Sequence, residues 1–280
     1  MKKFLTGVVC AVACTALVAC SNQASAENQN ILTVGASPVP HAEILEHAAS
    51  LLEKDGIKLK IVQFDDYVIP NTALMEGSLD ANYFQHQPYL TNFNAQQNAD
   101  LVSAGAIHYE PLGLYAGKSK DLKDIKPKAK IGIPADATNG GRALLLLQEQ
   151  GILTLKDGID LDYFRNAQDI SFSEYDGIAE NPYQIEIVAM EAANLPASLP
   201  DLDFAVITGN YALLAGIAED LLVSEDAKSQ AAQVFANLIA VRKENQEDEK
   251  VQALVKVLKS DEMKNWITEK YRGSVLPADS

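Results

Sequence analysis

Cysteine is missing from almost the whole chain. The three cysteines among 280 residues, Cys10, Cys14 and Cys20, all fall within the first twenty positions. The remainder therefore has no disulfide framework, no CxxC redox pair and no cysteine nucleophile. Basic side chains are scarce too: 23 Lys and Arg stand against 38 Asp and Glu, for a formal charge of −15. A chain without a basic stripe cannot displace counterions along a phosphate backbone, so nucleic acid is excluded as a partner. The four histidines, His41, His47, His86 and His108, form no HExxH pair. G-x-S-x-G, Walker and dinucleotide-binding motifs are also lacking. The reading is of a non-enzyme with no cofactor and no metal. Apolar surface, in contrast, is plentiful: 48% of residues are hydrophobic and 22% charged. That is too apolar for a disordered chain and enough for one large domain or two ordinary lobes.

The leader explains the cysteines. Lys2 and Lys3 precede an apolar run from Phe4 to Val18. About fifteen residues is too short to span a bilayer but suits the apolar region of a signal peptide. The run ends in Leu17-Val18-Ala19-Cys20, which resembles a lipobox, where cleavage leaves the cysteine as a lipid-bearing first residue. Ordinary cleavage after Ala24-Ser25-Ala26 is the alternative. Loss of the leader removes two lysines and leaves 21 basic against 38 acidic side chains, a charge of −17. Residues 21–30 carry no long apolar side chain until Ile31 and read as a tether reaching at most ~35 Å.

Strands and helices alternate beyond the tether. Ile31–Val34 is an apolar strand, and Ile44, Leu45, Ala48, Leu51 and Leu52 share one helix face. Asp55-Gly56 stops that helix, and a second strand follows to Val62. A similar plan restarts about 100 residues later: strand Lys130–Pro134, a loop at Thr138-Asn139-Gly140-Gly141, then a helix from Arg142. Tyr211–Leu222 reads as a helix, and two more helices close the chain. Such alternation predicts an α/β class with largely parallel sheets. Two βαβ starts and a helical return suggest two lobes joined by crossings near Pro111–Ala116 and Val241, with a cleft between them. The division is a signal peptide of residues 1–19, a lipidated tether of residues 20–30, one lobe of residues 31–111 plus 241–280, and another of residues 112–240. Trp266, the single tryptophan, is assigned to core or lobe packing.

Three clusters carry candidate binding chemistry. The first runs from Asp80 to Leu90, with Asp65–Asn71 just upstream. Tyr67, Phe84 and His86 could wall a pocket for an apolar or thioether side chain, since sulfur packs well on rings. Strand alternation sends either Tyr83 or Phe84 into the core. The second cluster is Thr138–Arg142, where a glycine-rich turn would offer N–H groups to an anion and Arg142 could grip a carboxylate bidentately. The third is Thr208-Gly209-Asn210-Tyr211, where Asn210 is either a helix cap or an acceptor for an ammonium. Asn194 is a weaker candidate of that kind.

In this order the clusters resemble the NlpA family of substrate-binding lipoproteins, and most closely its methionine-binding members. The likeness rests on Leu17–Cys20, Asp66–Asn71, Asp80–Leu90, the stretch from Asn139 to Arg142, Leu199–Asp203 and Ala205–Ala212. It spans essentially the whole mature chain. It implies a type II periplasmic-binding-protein fold, with two α/β lobes around a ligand cleft. It also implies a methionine-type ligand and an ABC transporter permease with its ATPase as partners. By motif, Arg142 with Asn139 would hold the α-carboxylate and Asn210 the head group, while Tyr67, Phe84 and His86 would wall the side chain. Tyr83 lies at a position where the family varies. The resemblance places the protein in the cell envelope, anchored through Cys20 and facing the periplasm or cell exterior. Alternatives within the same fold are D-methionine, a methionyl dipeptide, another small amino acid or a metal through His86 and His41. An added adhesive role at the cell surface is a further alternative.

Overall fold

The computed structural model describes residues 30–166 and 177–278; the leader, Cys20 and the tether lie outside the described residues. Strands are numbered in chain order, as are helices of seven or more residues.

The first lobe opens as expected from its apolar pattern. Strand β1 (Ile31–Ala36), helix α1 (Glu43–Leu52) and strand β2 (Lys58–Gln63) form a βαβ unit with β1 and β2 parallel. Helix α2 (Ile69–Met75) leads to β3 (Ala81–His86), which lies parallel to β1 on its other side. Helix α3 (Gln87–Gln97) and strand β4 (Val102–Tyr109) follow. The chain then leaves for a second sheet containing β5 (Gly113–Ala116), β6 (Lys130–Pro134), β9 (Glu186–Met190), β10 (Phe204–Ile207) and β11 (Leu221–Ser224). Helix α4 (Ala137–Glu149) follows β6, and α5 (Gly209–Ala215) follows β10. Strands β7 (Thr154–Leu155) and β8 (Ile178–Glu180) pair as a small ribbon. Strand β12 (Asn237–Val241), helices α6 (Glu249–Leu258) and α7 (Asp261–Tyr271) and strand β13 (Leu276–Pro277) complete the chain. The strand orders are β13-β4-β12-β3-β1-β2 and β11-β5-β10-β6-β9. No helix of the described residues is long and apolar enough to cross a membrane.

Each sheet is covered on both faces, which is what parallel strands with crossover helices require. In the first lobe Ile44, Leu45, Ala48 and Leu52 of α1 pack with Val251, Leu254, Val255 and Leu258 of α6 on one face. The latter four recur at a spacing that keeps them on one side of a helix. Leu74, Leu90 and Leu238 fill the opposite face. In the second lobe Leu144 and Leu147 of α4 meet Ile131, Ile133 and Phe204, while Leu195, Ile207 and Tyr211 lie beneath. Trp266 packs at the edge of the first core, with its ring stacked on His47 at 4.3 Å.

Three expectations need correction. No crossing lies at Val241: β12 is hydrogen-bonded to both β3 and β4 along its length from Asn237. Residues 237–240 therefore belong to the first sheet, and the chain returns before Asn237. The expected helix Tyr211–Leu222 stops at Ala215, because Gly216 takes a left-handed φ of 66° and caps it. Leu221–Ser224 then pairs with β5 as an edge strand. Finally, Thr138–Gly141 is no loop. Asp136 caps the backbone N–H of Asn139 and starts α4 at Ala137, so the two glycines lie inside the helix. Gly140 is needed there for packing: a Cβ would stand 2.7 Å from the Pro134 carbonyl oxygen.

Candidate functional site

The cleft between the lobes holds a cavity of about 350 Å³ of atom-free space, its mouth included. Tyr67, Phe84, Gln85, His86, Tyr89 and Glu110 line it from the first lobe and the outgoing crossing. Asn139, Arg142, Thr208, Gly209 and Asn210 line it from the second, with Asn237 at the return. Six candidates from the sequence therefore converge: Arg142, Asn139, Asn210, Tyr67, Phe84 and His86.

Local backbone geometry explains the aromatic wall. Against β12 the register of β3 slips, with Tyr83 opposite Ile239 and Gln85 opposite Leu238. Phe84 is the extra residue of a bulge, and such a bulge re-aims side chains. Tyr83 stays on the core face at 0% exposure, while Phe84 joins the cavity wall and Gln85 moves to the side of Asn82. There Gln85, Asn82 and Asn71 close a buried amide cluster, with bonds of 2.6 Å from Gln85 Nε2 to Asn71 Oδ1 and 2.8 Å from Asn71 Nδ2 to Gln85 Oε1. Asn82 donates to the Pro70 carbonyl as well, which pins the segment that presents Tyr67. The rings of Tyr67 and Phe84 lie 5.8 Å apart, and Tyr89 stands edge-on to both.

The two lobes meet across the cavity through neutral hydrogen bonds. Tyr67 donates its hydroxyl to Asn210 Oδ1 at 2.5 Å, so Thr208 Oγ1, 3.0 Å away, must donate to Tyr67. Tyr211 donates to the Asp65 carbonyl at 2.9 Å. His86 accepts from the Tyr89 backbone N–H at Nδ1, which leaves the proton on Nε2 for Asn139 Oδ1 at 3.0 Å. The Asn139 amide in turn donates to the Asp136 carboxylate. Asn210 is therefore not a helix cap; Thr208 occupies that position, and the Asn210 side chain receives Tyr67.

The charged groups are held differently. Arg142, 3% exposed, donates from Nε to Glu225 Oε1 at 2.7 Å and from Nη2 to Glu225 Oε2 at 2.5 Å and to the Glu110 carbonyl at 2.8 Å. Its guanidinium lies over the Phe235 ring at 4.5 Å. Glu225 also accepts from Tyr109 O–H and Leu112 N–H. The Arg142 cation thus has an internal counter-ion that no sequence motif announced. Glu110 is the one carboxylate among the lining residues, 4% exposed and with its pKa pushed up by burial.

Two candidates fall outside the cavity. Tyr83 points into the first core and bonds its hydroxyl to His108, because strand alternation turns it to the face opposite Phe84. Asn194 is exposed on a short helical turn, where its carbonyl accepts from Ser198. Glu110, Asn237, Tyr89, Gln85, Thr208 and Gly209 are lining residues absent from the candidate set. Tyr89 and Gln85 lay within the first motif, and Glu110 next to the Pro111 crossing. The described donor set suited to an ion is His41, His108 and Glu110, with ligating atoms within 4.8 Å of one another. His86 is not part of it.

Three histidines are buried and neutral. Burial lowers the pKa of His41 to about 4 and of His108 to about 3; burial and then the Arg142 charge lower His86 to about 3. The unfolded chain takes these protons near 6.5, so the stabilisation is complete above that pH and is lost as pH falls toward 4. Glu110, shifted the other way, offsets part of the loss. Thermal melts between pH 7 and 5 should show a falling midpoint, with each histidine changing the unfolding constant by up to about tenfold per pH unit. A flat midpoint across that window would contradict the burial of these rings.

Comparison with known proteins agrees with this architecture. The NlpA lipoprotein family profile matches residues 32–279. Membrane lipoprotein TpN32 of Treponema pallidum is 36% identical over 249 residues, covering 88% of this chain and 87% of its own. Methionine-binding lipoprotein MetQ of Bacillus subtilis is 35% identical over 284 residues, covering 99% of each. A nutrient-binding protein from Burkholderia cenocepacia, solved bound to methionine, superposes with a TM-score of 0.80 at 40% identity, covering 89% of this chain and 100% of that one. With a family match across nearly all the described residues, the chain belongs to the NlpA lipoproteins.

Proposed function

We propose that this chain is the substrate-binding lipoprotein of an ABC importer and captures methionine between its lobes. The observation that carries this reading is the pairing, in one aromatic-walled cavity, of a single buried arginine with a single buried carboxylate. A zwitterion needs both signs, and a thioether needs ring surface. In this reading Arg142 and Asn139 take the α-carboxylate. Glu110, with Asn237 and Asn210, takes the ammonium. Tyr67, Phe84, Tyr89 and His86 enclose the side chain. No reaction is assigned, since both ring nitrogens of His86 are committed to hydrogen bonds. The permease and ATPase of the importer are the partners, and a lipid on Cys20 holds the protein in the cell envelope, facing the periplasm or cell exterior.

Calorimetry on ligand-stripped protein tests this. L-methionine should bind near 1:1, and D-methionine and methionyl dipeptides serve as comparison ligands that rank the specificity. A folded, stripped sample that binds none of them would refute the proposal.

A further inference from the structure

Behind the cavity wall lies a buried polar group that lines no part of it, His41, Tyr83 and His108, gathered around the lining residues Glu110 and Asn237. His108 Nε2 lies 2.7 Å from Glu110 Oε1, and its Nδ1 faces the Tyr83 hydroxyl. An ionised carboxylate can only accept, so Nε2 carries the proton and Nδ1 receives the Tyr83 O–H. This makes a directed row, from Tyr83 through His108 to Glu110. His41 Nε2 lies between two oxygens, Asn237 Oδ1 at 3.0 Å and Glu110 Oε1 at 3.4 Å. It too must carry its proton there, which leaves His41 Nδ1 as a buried atom without a partner. From the second lobe, the Asn210 backbone N–H also points at the carboxylate.

A carboxylate this deep in the protein is held ionised only by donors aimed at it. Beside the Asn210 N–H, the structure supplies His108 and His41, neither of which lines the cavity, and one imidazole nitrogen is left unsatisfied in doing so. We infer that His108, backed by Tyr83 and assisted by His41, is the positioning residue for Glu110. It keeps that carboxylate charged and turned toward a ligand ammonium, and so makes the site select ligands that carry an amine. This rests on the methionine reading and deepens it.

The test compares L-methionine with 4-(methylthio)butanoate, the same molecule without the amine, by calorimetry on the full mature chain. Wild-type protein must first bind methionine; if it does not, the functional reading fails and not this one. His108→Leu should then weaken methionine by about 10–100-fold, the scale of a lost hydrogen bond to a charged group. The amine-free ligand should change by no more than about twofold, so that the preference between the two collapses. His108→Gln, which restores an N–H donor, should recover most of it. Tyr83→Phe, nearly isosteric and expected to fold whether or not His108→Leu does, should lower the preference part-way. An equal loss for both ligands in every variant would mark a merely structural role. An unchanged preference in Tyr83→Phe and His108→Leu would also overturn the inference.

Discussion

Arg142→Ala should lose methionine affinity and thermal stability together, for two separable reasons. The buried guanidinium serves both carboxylate oxygens of Glu225 and the Glu110 carbonyl. Its removal leaves Glu225, only 8% exposed, with Tyr109 O–H and Leu112 N–H as its remaining donors. Breaking one side of a buried pair costs about 3–5 kcal/mol of stability. Ligand binding suffers on its own account, since a carboxylate enclosed without its cation costs about 2–5 kcal/mol, or about 30- to 5,000-fold in affinity. A second variant separates the two. Replacing both partners, Arg142→Met with Glu225→Gln, removes the uncompensated charge and keeps an amide oxygen for Tyr109 O–H and Leu112 N–H, so the melting temperature should recover in large part while binding stays lost. Arg142→Lys should rescue little, because an ammonium on a flexible stem cannot reproduce a planar fork with three fixed acceptors. Methionine binding at wild-type affinity in Arg142→Ala would remove Arg142 from the site.

Gly209→Ala should damage binding while sparing the fold. Glycine sits here at the first position of α5 because the other lobe's crossing comes so close. An added Cβ would lie 2.7 Å from Glu110 Cβ and 2.8 Å from its Oε2. The first of these is the root of a side chain and cannot swing aside. The methyl group therefore acts as a wedge between α5 and the crossing, and neither lobe's own core is touched. Overpacking of this kind costs about 1–3 kcal/mol. Because the strain falls on the closed arrangement, it should appear as about 5–150-fold weaker methionine binding in calorimetry. The melting temperature of the unliganded variant should stay near that of the parent. Wild-type affinity would mean that Glu110 and α5 do not approach in the bound state.

The parts of the fold that were legible in the sequence are those where one physical signal acts alone. The apolar stripe of α1 and the turn at Asp55-Gly56 depend on nothing distant, and they were read correctly. Misreadings arose where two signals competed. Gly140 and Gly141 look like a flexible turn, yet Asp136 three residues before Asn139 already offers a cap, and the tight approach to Pro134 requires glycine inside the helix. Gly216 marked the end of α5, but the apolar residues beyond it, Leu221 and Leu222, extended the apparent helix into an edge strand. At the site, residues clustered in sequence were visible as candidates: Tyr67, Phe84, His86, Asn139, Arg142 and Asn210. Asn194 had only its residue type in its favour. Glu225 had no local signal at all, because its partner lies 83 residues earlier and is met only once the chain has folded. Nor could the sequence show the bulge that turns Gln85 to the side of Asn82, since it is created by pairing with β12.

The division of labour between charged and neutral contacts bears on the work needed to part the lobes. The Glu110 carboxylate meets the Asn210 backbone N–H across the cleft; among the described residues the side-chain bonds that span it, Tyr67 with Asn210 and Thr208, His86 with Asn139, and Tyr211 with Asp65, are between uncharged groups. Each contributes about 0.5–1.5 kcal/mol net, so separation calls for only a few kcal/mol, a step in the microsecond-to-millisecond range of domain motions. The ionic groups stay beside the polypeptide joints, where Arg142 grips the outgoing segment at Glu110 and Glu225 precedes the returning one. They act as an axle rather than a clasp. The lobes can then part with no buried ion pair having to be pulled apart.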